Sequence, residues 1–437
     1  MSLFFVKTER KSRNMLTAVV GINWGDEGKG RIVDLLSEDQ DIVVRYQGGN
    51  NAGHTVINDK GEFILNLLPS GILRENVVCV MGNGMAIDLK HLHYEIQRLR
   101  EKGIHVGPDN LKISDRAIVT MPYHVDLDCY EEERLGKNSY GSTRRGIAPV
   151  YSDKYAKKAI RTGDLLHMEY LQKTLPDILA YKNLMIEKAY QKPGVSLEDM
   201  LQYLQTYGEE FQEYICDTGA YLMDAHKEGK RIMFEAQLGA LRDIDYGIYP
   251  FTSSSNTIAA YAPIGAGVPG IKLDTVVGIM KAYSTCVGAG PFTVEMEGEE
   301  AEALRSAGGE YGAATGRPRR VGAFDVVASK YGITVQGSDK LALTKLDVLS
   351  YMKKIPVCVA YAYEGQLIHH FPVGEVLEKA TPVIEYLDGW CEDISGCRTF
   401  GDLPENAKKY IEFIEEKVGQ KMWLISVGAQ RDAYFMR

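Results

Sequence analysis

The sequence predicts an α/β fold: a large, mostly parallel central sheet with a P-loop-like phosphate turn, helices on both faces and a helical insertion. Three observations carry that expectation. Short apolar runs alternate along the chain with stretches of helical periodicity. The first of those runs ends in a glycine-rich turn of the kind that leads a strand into a phosphate-binding helix. Residues 164–229 keep a helical period and lack strand signals, which marks an excursion from the sheet.

Strand candidates fall at 16–22, 41–46, 77–81, 231–235, 275–281, 340–345, 356–362 and 422–427, and helical stretches such as 88–101 and 404–418 lie between them. Residues 55–67, turning at Asp59-Lys60-Gly61, read as a hairpin, so the sheet is not purely parallel. Residues 1–14, with Lys7, Arg10, Lys11 and Arg13 ahead of Met15, read as an N-terminal extension or expression remnant outside the fold. Residues 15–437 then form a single α/β domain with a helical excursion at about 164–229.

With 437 residues and 45% hydrophobic content the chain can bury a large core. A formal charge of −9 and scattered basic residues argue against a nucleic-acid surface. Seven cysteines form an odd set without a Cys-x-x-Cys pair, which reads as buried free thiols in a reducing compartment. No stretch reaches the length of a membrane span, and Leu3-Phe4-Phe5-Val6 is too short for a signal peptide. The expected location is the cytoplasm, with no membrane partner.

Chemistry concentrates in a few loops. Trp24-Gly25-Asp26-Glu27-Gly28-Lys29-Gly30, followed by Arg31, leaves the first strand candidate as nearly a P-loop. A P-loop places four residues between its first glycine and the Gly-Lys pair and follows lysine with Ser or Thr, a magnesium ligand. Here six residues separate Gly21 from Gly28, and Gly30 follows Lys29. The amides and the lysine can still cradle phosphate, while Asp26 supplies the missing metal ligand or a base beside it. Gln47-Gly48-Gly49-Asn50-Asn51-Ala52-Gly53-His54-Thr55 leaves the next strand candidate. If those two strands are neighbours in a parallel sheet, one crevice holds Asp26 and His54.

Thr344-Lys345-Leu346-Asp347 ends another strand candidate and is similar to the guanine-reading Asn-Lys-x-Asp of GTPases. An aspartate there accepts from both the ring N–H and the exocyclic amine of guanine, a pair that adenine does not offer. Thr315-Gly316-Arg317-Pro318-Arg319-Arg320, with glycines close by, reads as a loop whose guanidinium groups clamp carboxylates. His91 and His93 do not share a helix face, and His369 and His370 point to opposite sides of a strand candidate, so no histidine zinc site is expected.

Six segments together resemble the adenylosuccinate synthetase family across almost the whole chain. They are Trp24–Gly30, Gly49–Thr55, Leu68-Pro69-Ser70-Gly71-Ile72-Leu73, Lys281-Ala282-Tyr283-Ser284, Gly312–Arg320 and Thr344–Leu349. The resemblance implies a GTP-dependent ligase that joins L-aspartate to IMP, giving adenylosuccinate, GDP and phosphate through a 6-phosphoryl-IMP intermediate. It implies one Mg²⁺ per subunit, held by Asp26 and the carbonyl of Gly53, with GTP as co-substrate and a homodimer whose sites are completed across the interface. Asp26 and His54 are then catalytic.

The same resemblance assigns GTP to Gly25, Asp26, Glu27, Gly28, Lys29, Gly30, Arg31, Gly53, His54, Thr55, Arg319, Lys345, Leu346, Asp347, Ser426, Val427 and Gly428. It assigns IMP to Asp26, Glu27, Gly28, Lys29, Asn51, Ala52, Gly53, His54, Thr143, Lys157, Leu238, Ser253 and Arg317. The aspartate substrate falls to Ala313, Ala314, Thr315, Gly316, Arg317, Pro318 and Arg319. Three positions depart from the family pattern: Leu238 stands for a glutamine, with Gln237 one place earlier, Lys157 for a subunit-crossing arginine, and Ser253 for a threonine. Arg144 also follows Thr143 where the family has glycine. The rival readings are a related ligase for another purine monophosphate, a silent GTP-binding homologue and a nucleic-acid-binding GTPase. The presence of both Asp26 and His54 weighs against the second, and the acidic charge against the third.

Overall fold

Leu16–Gly21 (β1) is apolar at nearly every position, and it packs on both of its faces. Val19 joins the cluster that contains Ile32 and Val33 of helix Lys29–Ser37 (α1), whereas Leu16, Ala18 and Val20 face the other way, toward Leu222 and Ala225. A strand covered by helices on both sides belongs in the middle of a parallel sheet. The computed structural model describes residues 15–58, 61–312, 316 and 318–437, with the backbone alone for residues 55, 57 and 58. The extension 1–14, the hairpin residues Asp59 and Lys60, and Ala313, Ala314, Thr315 and Arg317 lie outside the described residues.

Ten strands form the central sheet. After β1 come Ile42–Arg45 (β2), Val78–Met81 (β3), Leu111–Ser114 (β4), Ile215–Cys216 (β5), Ile232–Gly239 (β6), Thr275–Lys281 (β7), Lys340–Thr344 (β8), Met422–Ser426 (β9) and Tyr434–Met436 (β10). Their spatial order is β10-β9-β8-β7-β1-β6-β2-β3-β4-β5. All pairings are parallel except that of β10 with β9. Helix Leu89–Glu101 (α2), capped by Asp88 through its bond to the His91 amide, covers one face with α1. Helix Thr218–Lys227 covers the other.

The structure differs from the sequence reading in five places. β1 and β2 are not neighbours, because β6 lies between them with Leu16 opposite Ile232 and Ile232 opposite Ile42. The run at 356–362 belongs to a separate sheet, where Lys354–Tyr363 pairs antiparallel with Gln366–Ile368 and Thr381–Asp388. His369 and His370 follow the strand Gln366–Ile368 and are not part of it. The excursion at 164–229 contains helices Met168–Leu184 and Leu197–Phe211, but it returns to the sheet edge through the two-residue β5. The hairpin is formed by His54–Asn58 and Gly61–Leu65, outside the large sheet.

At the carboxyl end of β1 the chain is closely confined. The register of β1 with β6 shifts between Val19 and Gly21, Gly21 pairs with Gly239, and Leu238 takes a left-handed φ of 64° in the resulting bulge. A Cβ on Gly21 would lie 2.5 Å from Glu27 Oε2 and 2.6 Å from the Leu238 carbonyl oxygen. The second of these is backbone and cannot swing aside. Gly21→Ala is therefore expected to cost about 1–3 kcal/mol, read as a lower urea midpoint, and to reduce turnover because the phosphate turn must shift. A midpoint and turnover equal to wild type would show that the bulge gives way.

Candidate active site

The turn after β1 is built by a carboxylate that folds back on its own loop. Glu27 is buried, and its Oε1 accepts from the amides of Gly25 (2.8 Å) and Asn23 (3.1 Å), while Oε2 holds Lys29 Nζ at 2.5 Å. Its carbonyl accepts from Thr344 Oγ1 at 2.6 Å, which ties the turn to the end of β8. Gly25 (φ 99°), Asp26 (φ 59°) and Gly28 (φ 85°) bring the chain into α1, with Gly28 as the N-cap. Asp26 is the non-glycine residue of the three, a left-handed position at some backbone cost of the kind that gathers at functional sites. Its carboxylate stays 32% exposed and meets Arg319 Nε at 3.0 Å.

His54 opens the hairpin beyond the Gln47–Gly53 loop. It is buried, and its Nδ1 lies 2.6 Å from Glu235 Oε1, on the intervening strand β6. Ser70 of the Leu68–Leu73 segment completes the carboxylate, its amide reaching Oε2 at 2.8 Å and its hydroxyl Oε1 at 2.9 Å. Burial pushes the His54 imidazole below its ordinary value, with Arg45 and Lys29 adding to the depression against the pull of Glu235. Burial pushes Glu235 the other way. The hydrogen bond and charge of His54, the Arg45 guanidinium and the Ser70 amide outweigh it and hold the carboxyl below the usual range. The pair is a neutral imidazole donating Nδ1–H to a carboxylate, the tautomer that the bond to Glu235 selects, which leaves Nε2 unprotonated.

A polar chain supports the same loop. Gln237 is fully buried, its Nε2 donating to the carbonyls of Gly49 and Ala52, both at 3.1 Å, and its Oε1 accepting from the Gly49 amide at 3.2 Å. Gln47 Nε2 donates to the Gln237 carbonyl at 2.6 Å, Ser255 Oγ donates to Gln47 Oε1 at 2.8 Å, and Ser253 Oγ lies 3.1 Å from Ser255 Oγ. Gln237 is thus committed to the loop backbone, so it does not take the place of a glutamine at Leu238. Asn51 Oδ1 accepts from the Gly49 amide at 3.3 Å. Gly53 is exposed at the lip of the loop.

On the other side of β1, Lys345 has φ 58° and starts the short helix Leu346–Tyr351, with Leu346 buried and Asp347 half-buried. Burial pushes the Asp347 carboxyl up, opposed by a backbone hydrogen bond and by the charges of Lys345 and Arg31. Arg31 forks toward the Ser426–Ala433 segment: Nη1 reaches Ser426 Oγ (2.6 Å) and the Gly428 carbonyl, and Nη2 reaches the carbonyls of Gln430 and Ala433 (3.2 Å). Val427 is buried beneath. Arg31 therefore ties the Ser426–Ala433 segment to the start of α1 with every one of these contacts.

Thr143 and Lys157 are both exposed and flank helix Ile147–Ala156, which packs on the Gln47–Gly53 loop through Tyr151, whose hydroxyl accepts from the Gly48 amide at 3.0 Å; Lys157 (φ 61°) ends that helix. Pro318 and Gly316 are exposed in the loop that carries Arg319. Among the described residues no group of three or more His, Cys, Asp or Glu side chains is placed to hold a metal ion. The sequence reading missed Glu235 and Ser255, and it noted Gln237 only as the neighbour of Leu238, not as the support of the Gly49–Ala52 loop. Only Glu235 left a signal, as the acid inside the apolar run Ile232-Met233-Phe234-Glu235-Ala236.

A parallel sheet that gathers a lysine-bearing glycine-rich turn, a carboxylate-held histidine and the Lys345–Asp347 turn at its carboxyl edge defines a nucleotide-handling α/β enzyme. A family model described as adenylosuccinate synthetase matches residues 18–435, and the chain belongs to that family. The adenylosuccinate synthetase of Geobacillus sp. (strain WCH70) is 46% identical over 414 residues, 94% of this chain and 96% of that protein. That of Caldanaerobacter subterraneus subsp. tengcongensis is 45% identical over 418 residues, 95% and 98% of the two. The solved structure of fully ligated adenylosuccinate synthetase from Plasmodium falciparum is similar with a TM-score of 0.90 at 36% identity, over 97% of this chain and 100% of that one. Succinoaminodeoxyadenylate synthetase of cyanophage S-2L, solved with dGMP and dATP, shares the fold at a TM-score of 0.58 and 18% identity, over 97% and 95%. The chain is accordingly a ligase of AMP biosynthesis that joins aspartate to IMP at the expense of GTP.

The depressed His54 imidazole makes a stability prediction. Because folding holds it below 6.5, the unfolded chain takes up that proton first as pH falls. Its contribution is complete above that value and shrinks below it. His54→Gln, which keeps an N–H donor and does not titrate, is expected to lose less stability than wild type between about pH 7.5 and about pH 5.5. Equal losses in urea melts at the two pH values would remove His54 from the linkage.

Proposed function

We propose that the crevice carries out the family reaction in two steps, with Asp26 as base and His54 beside the GTP phosphates. Asp26 takes the N1 proton of IMP, and O6 attacks the γ-phosphorus of GTP, forming 6-phosphoryl-IMP and releasing GDP. The amine of aspartate then displaces phosphate from C6. The observation that carries this reading is the placement of Asp26 in a left-handed turn of a phosphate loop, with its carboxylate partly open to solvent. His54 is supported as its companion because Glu235 fixes the ring through Nδ1 and leaves Nε2 without a partner on the strand.

The residues fit a magnesium ion. Asp26 supplies one hard, accessible carboxylate and Gly53 an exposed carbonyl, the sparse protein donor set that Mg²⁺ uses when phosphates complete its shell. When bound, the ion supplies charge neutralisation on the transferring phosphate. Lys29 and the amides of Glu27, Gly28 and Gly30 cradle the phosphates, with Gly25 shaping the turn through its bond to Glu27. Asp347 reads guanine within a pocket walled by Ser426, Val427 and Gly428, with Lys345 and Leu346 beside it and Thr55 and Arg319 nearer the phosphates. Asn51, Ala52, Thr143, Leu238, Ser253 and Arg317 contact IMP, and the loop from Ala313 through Thr315 and Gly316 to Pro318 and Arg319 takes aspartate. The chain works as one α/β unit, in the cytoplasm, as a homodimer. Exposed Lys157 reaches a partner's IMP phosphate, and Tyr155, two residues away and 70% exposed, supports a surface that is covered there.

Two substitutions test these assignments, both in an assay that follows adenylosuccinate absorbance with GTP, Mg²⁺, IMP and aspartate. Asp26→Asn is expected to lower turnover on the order of a hundredfold or more, and near-normal turnover would take Asp26 out of the mechanism. Asp347→Asn is expected to weaken GTP and to improve xanthosine triphosphate, whose C2 oxygen accepts from the new amide. Equal losses for both nucleotides would make Asp347 structural.

A further inference from the structure

Glu310 is a fully buried carboxylate that the two-step reaction leaves without a role. It follows helix Gly298–Gly308 and stands at the root of the loop that carries Arg319. Four side chains share it. Oε1 receives Lys281 Nζ at 2.9 Å, Lys345 Nζ at 2.8 Å and the Tyr283 hydroxyl at 2.5 Å, while Oε2 receives Arg319 Nη1 at 2.7 Å. The Arg319 amide also donates to the Glu310 carbonyl at 2.9 Å, and the Arg319 Nε faces Asp26 Oδ2 at 3.0 Å.

These partners come from different parts of the crevice. Lys281 ends β7 in register with Thr344, so two adjacent strand ends meet on one carboxylate. Lys345 is the left-handed residue that opens the Asp347 turn, and its ammonium is also fixed by the Gly308 carbonyl at 2.6 Å. Three cations around one buried anion are held more firmly than exposed pairs, because each would otherwise lose a partner out of reach of water. The surroundings act on the charges accordingly: burial lowers Lys281 to about 8 despite Glu310. Burial pushes Glu310 up, and the lysines override it and hold the carboxyl far below its usual range.

We propose that Glu310 is a positioning residue for nucleotide selection, holding Lys345 and Arg319 on its two oxygens so that the guanine turn and Asp26 of the phosphate turn are set together. The proposal rests on the assignment of Lys345 and Asp347 to guanine made above. It extends that assignment by making base recognition depend on a residue that touches no substrate. A salt-bridge cluster that serves stability alone would show no such dependence.

The test uses the full chain and compares GTP with inosine triphosphate, which lacks the 2-amino group, at saturating IMP and aspartate. Glu310→Gln is expected to raise the KM for GTP on the order of tenfold and to narrow the preference for GTP over inosine triphosphate. A lower melting temperature with KM and preference unchanged would overturn the proposal. Lys345→Met and Arg319→Lys, alone and combined, give a second measurement should Glu310→Gln fail to fold. The two side chains bind opposite oxygens of Glu310, so coupling through it makes the double variant cost less than the product of the single effects. Multiplicative effects would overturn the coupling. Failure of the guanine assignment shows separately, as loss of the xanthosine triphosphate crossover in Asp347→Asn.

Discussion

The bond between His54 and Glu235 is the constraint on which the crevice depends. The histidine starts a hairpin that takes no part in the large sheet, and the glutamate sits in the strand that separates β1 from β2. A carboxylate fully removed from water is tolerated only when its lone pairs are met. Here an imidazole, a hydroxyl, an amide and the nearby charge of Arg45 meet them. Arg45, opposite Glu235 in the sheet register, is itself buried, and its guanidinium has no hydrogen-bond partner among the described residues. Its contribution to the pair is therefore charge at close range in a medium that screens poorly.

The phosphate turn obeys the same rule with different parts. Glu27, which lies in the middle of the glycine-rich motif, spends its oxygens on the amides of Asn23 and Gly25 and on Lys29. It shapes the loop, and Asp26 beside it is left outward. Two adjacent acids thus divide into a buried scaffold and an outward carboxylate: Glu27 is buried while Asp26 is not. Arg31 is a comparable case, since its guanidinium fastens the Ser426–Ala433 segment to helix α1 through backbone carbonyls.

Much of this was legible in the chain. Apolar runs marked seven of the ten sheet strands closely, and Gly25–Gly30, Gly49–Thr55 and Thr344–Asp347 all emerge at strand ends on the carboxyl edge. Strand order was not legible, because strands buried on both faces lack the alternation that would distinguish a neighbour from a more distant member. That is why β6 was not foreseen between β1 and β2, and why Glu235 passed as an ordinary residue of an apolar run. The run at 356–362 misled for the same reason, since its apolar residues do not show which sheet it joins: it pairs parallel with Phe324–Asp325 and antiparallel with two further strands. Two-residue strands such as Ile215–Cys216 carry no period at all. Cys391 is exposed, whereas Cys79, Cys286 and Cys358 fit the expectation of buried thiols.

The position of β1 also has a consequence during synthesis. Leu16 pairs with Ile232, and Thr17 on the other side pairs with Thr275, so the first strand of the sheet has no partner until the middle of the chain has been made. At the usual pace of translation the 216 residues from Leu16 to Ile232 take roughly ten to forty seconds. Throughout that interval an apolar strand and an unpaired phosphate loop are present without their neighbours. The crevice is therefore a late product of folding, and a ribosome-bound fragment ending before β6 holds both glycine-rich motifs yet lacks the strand that joins them.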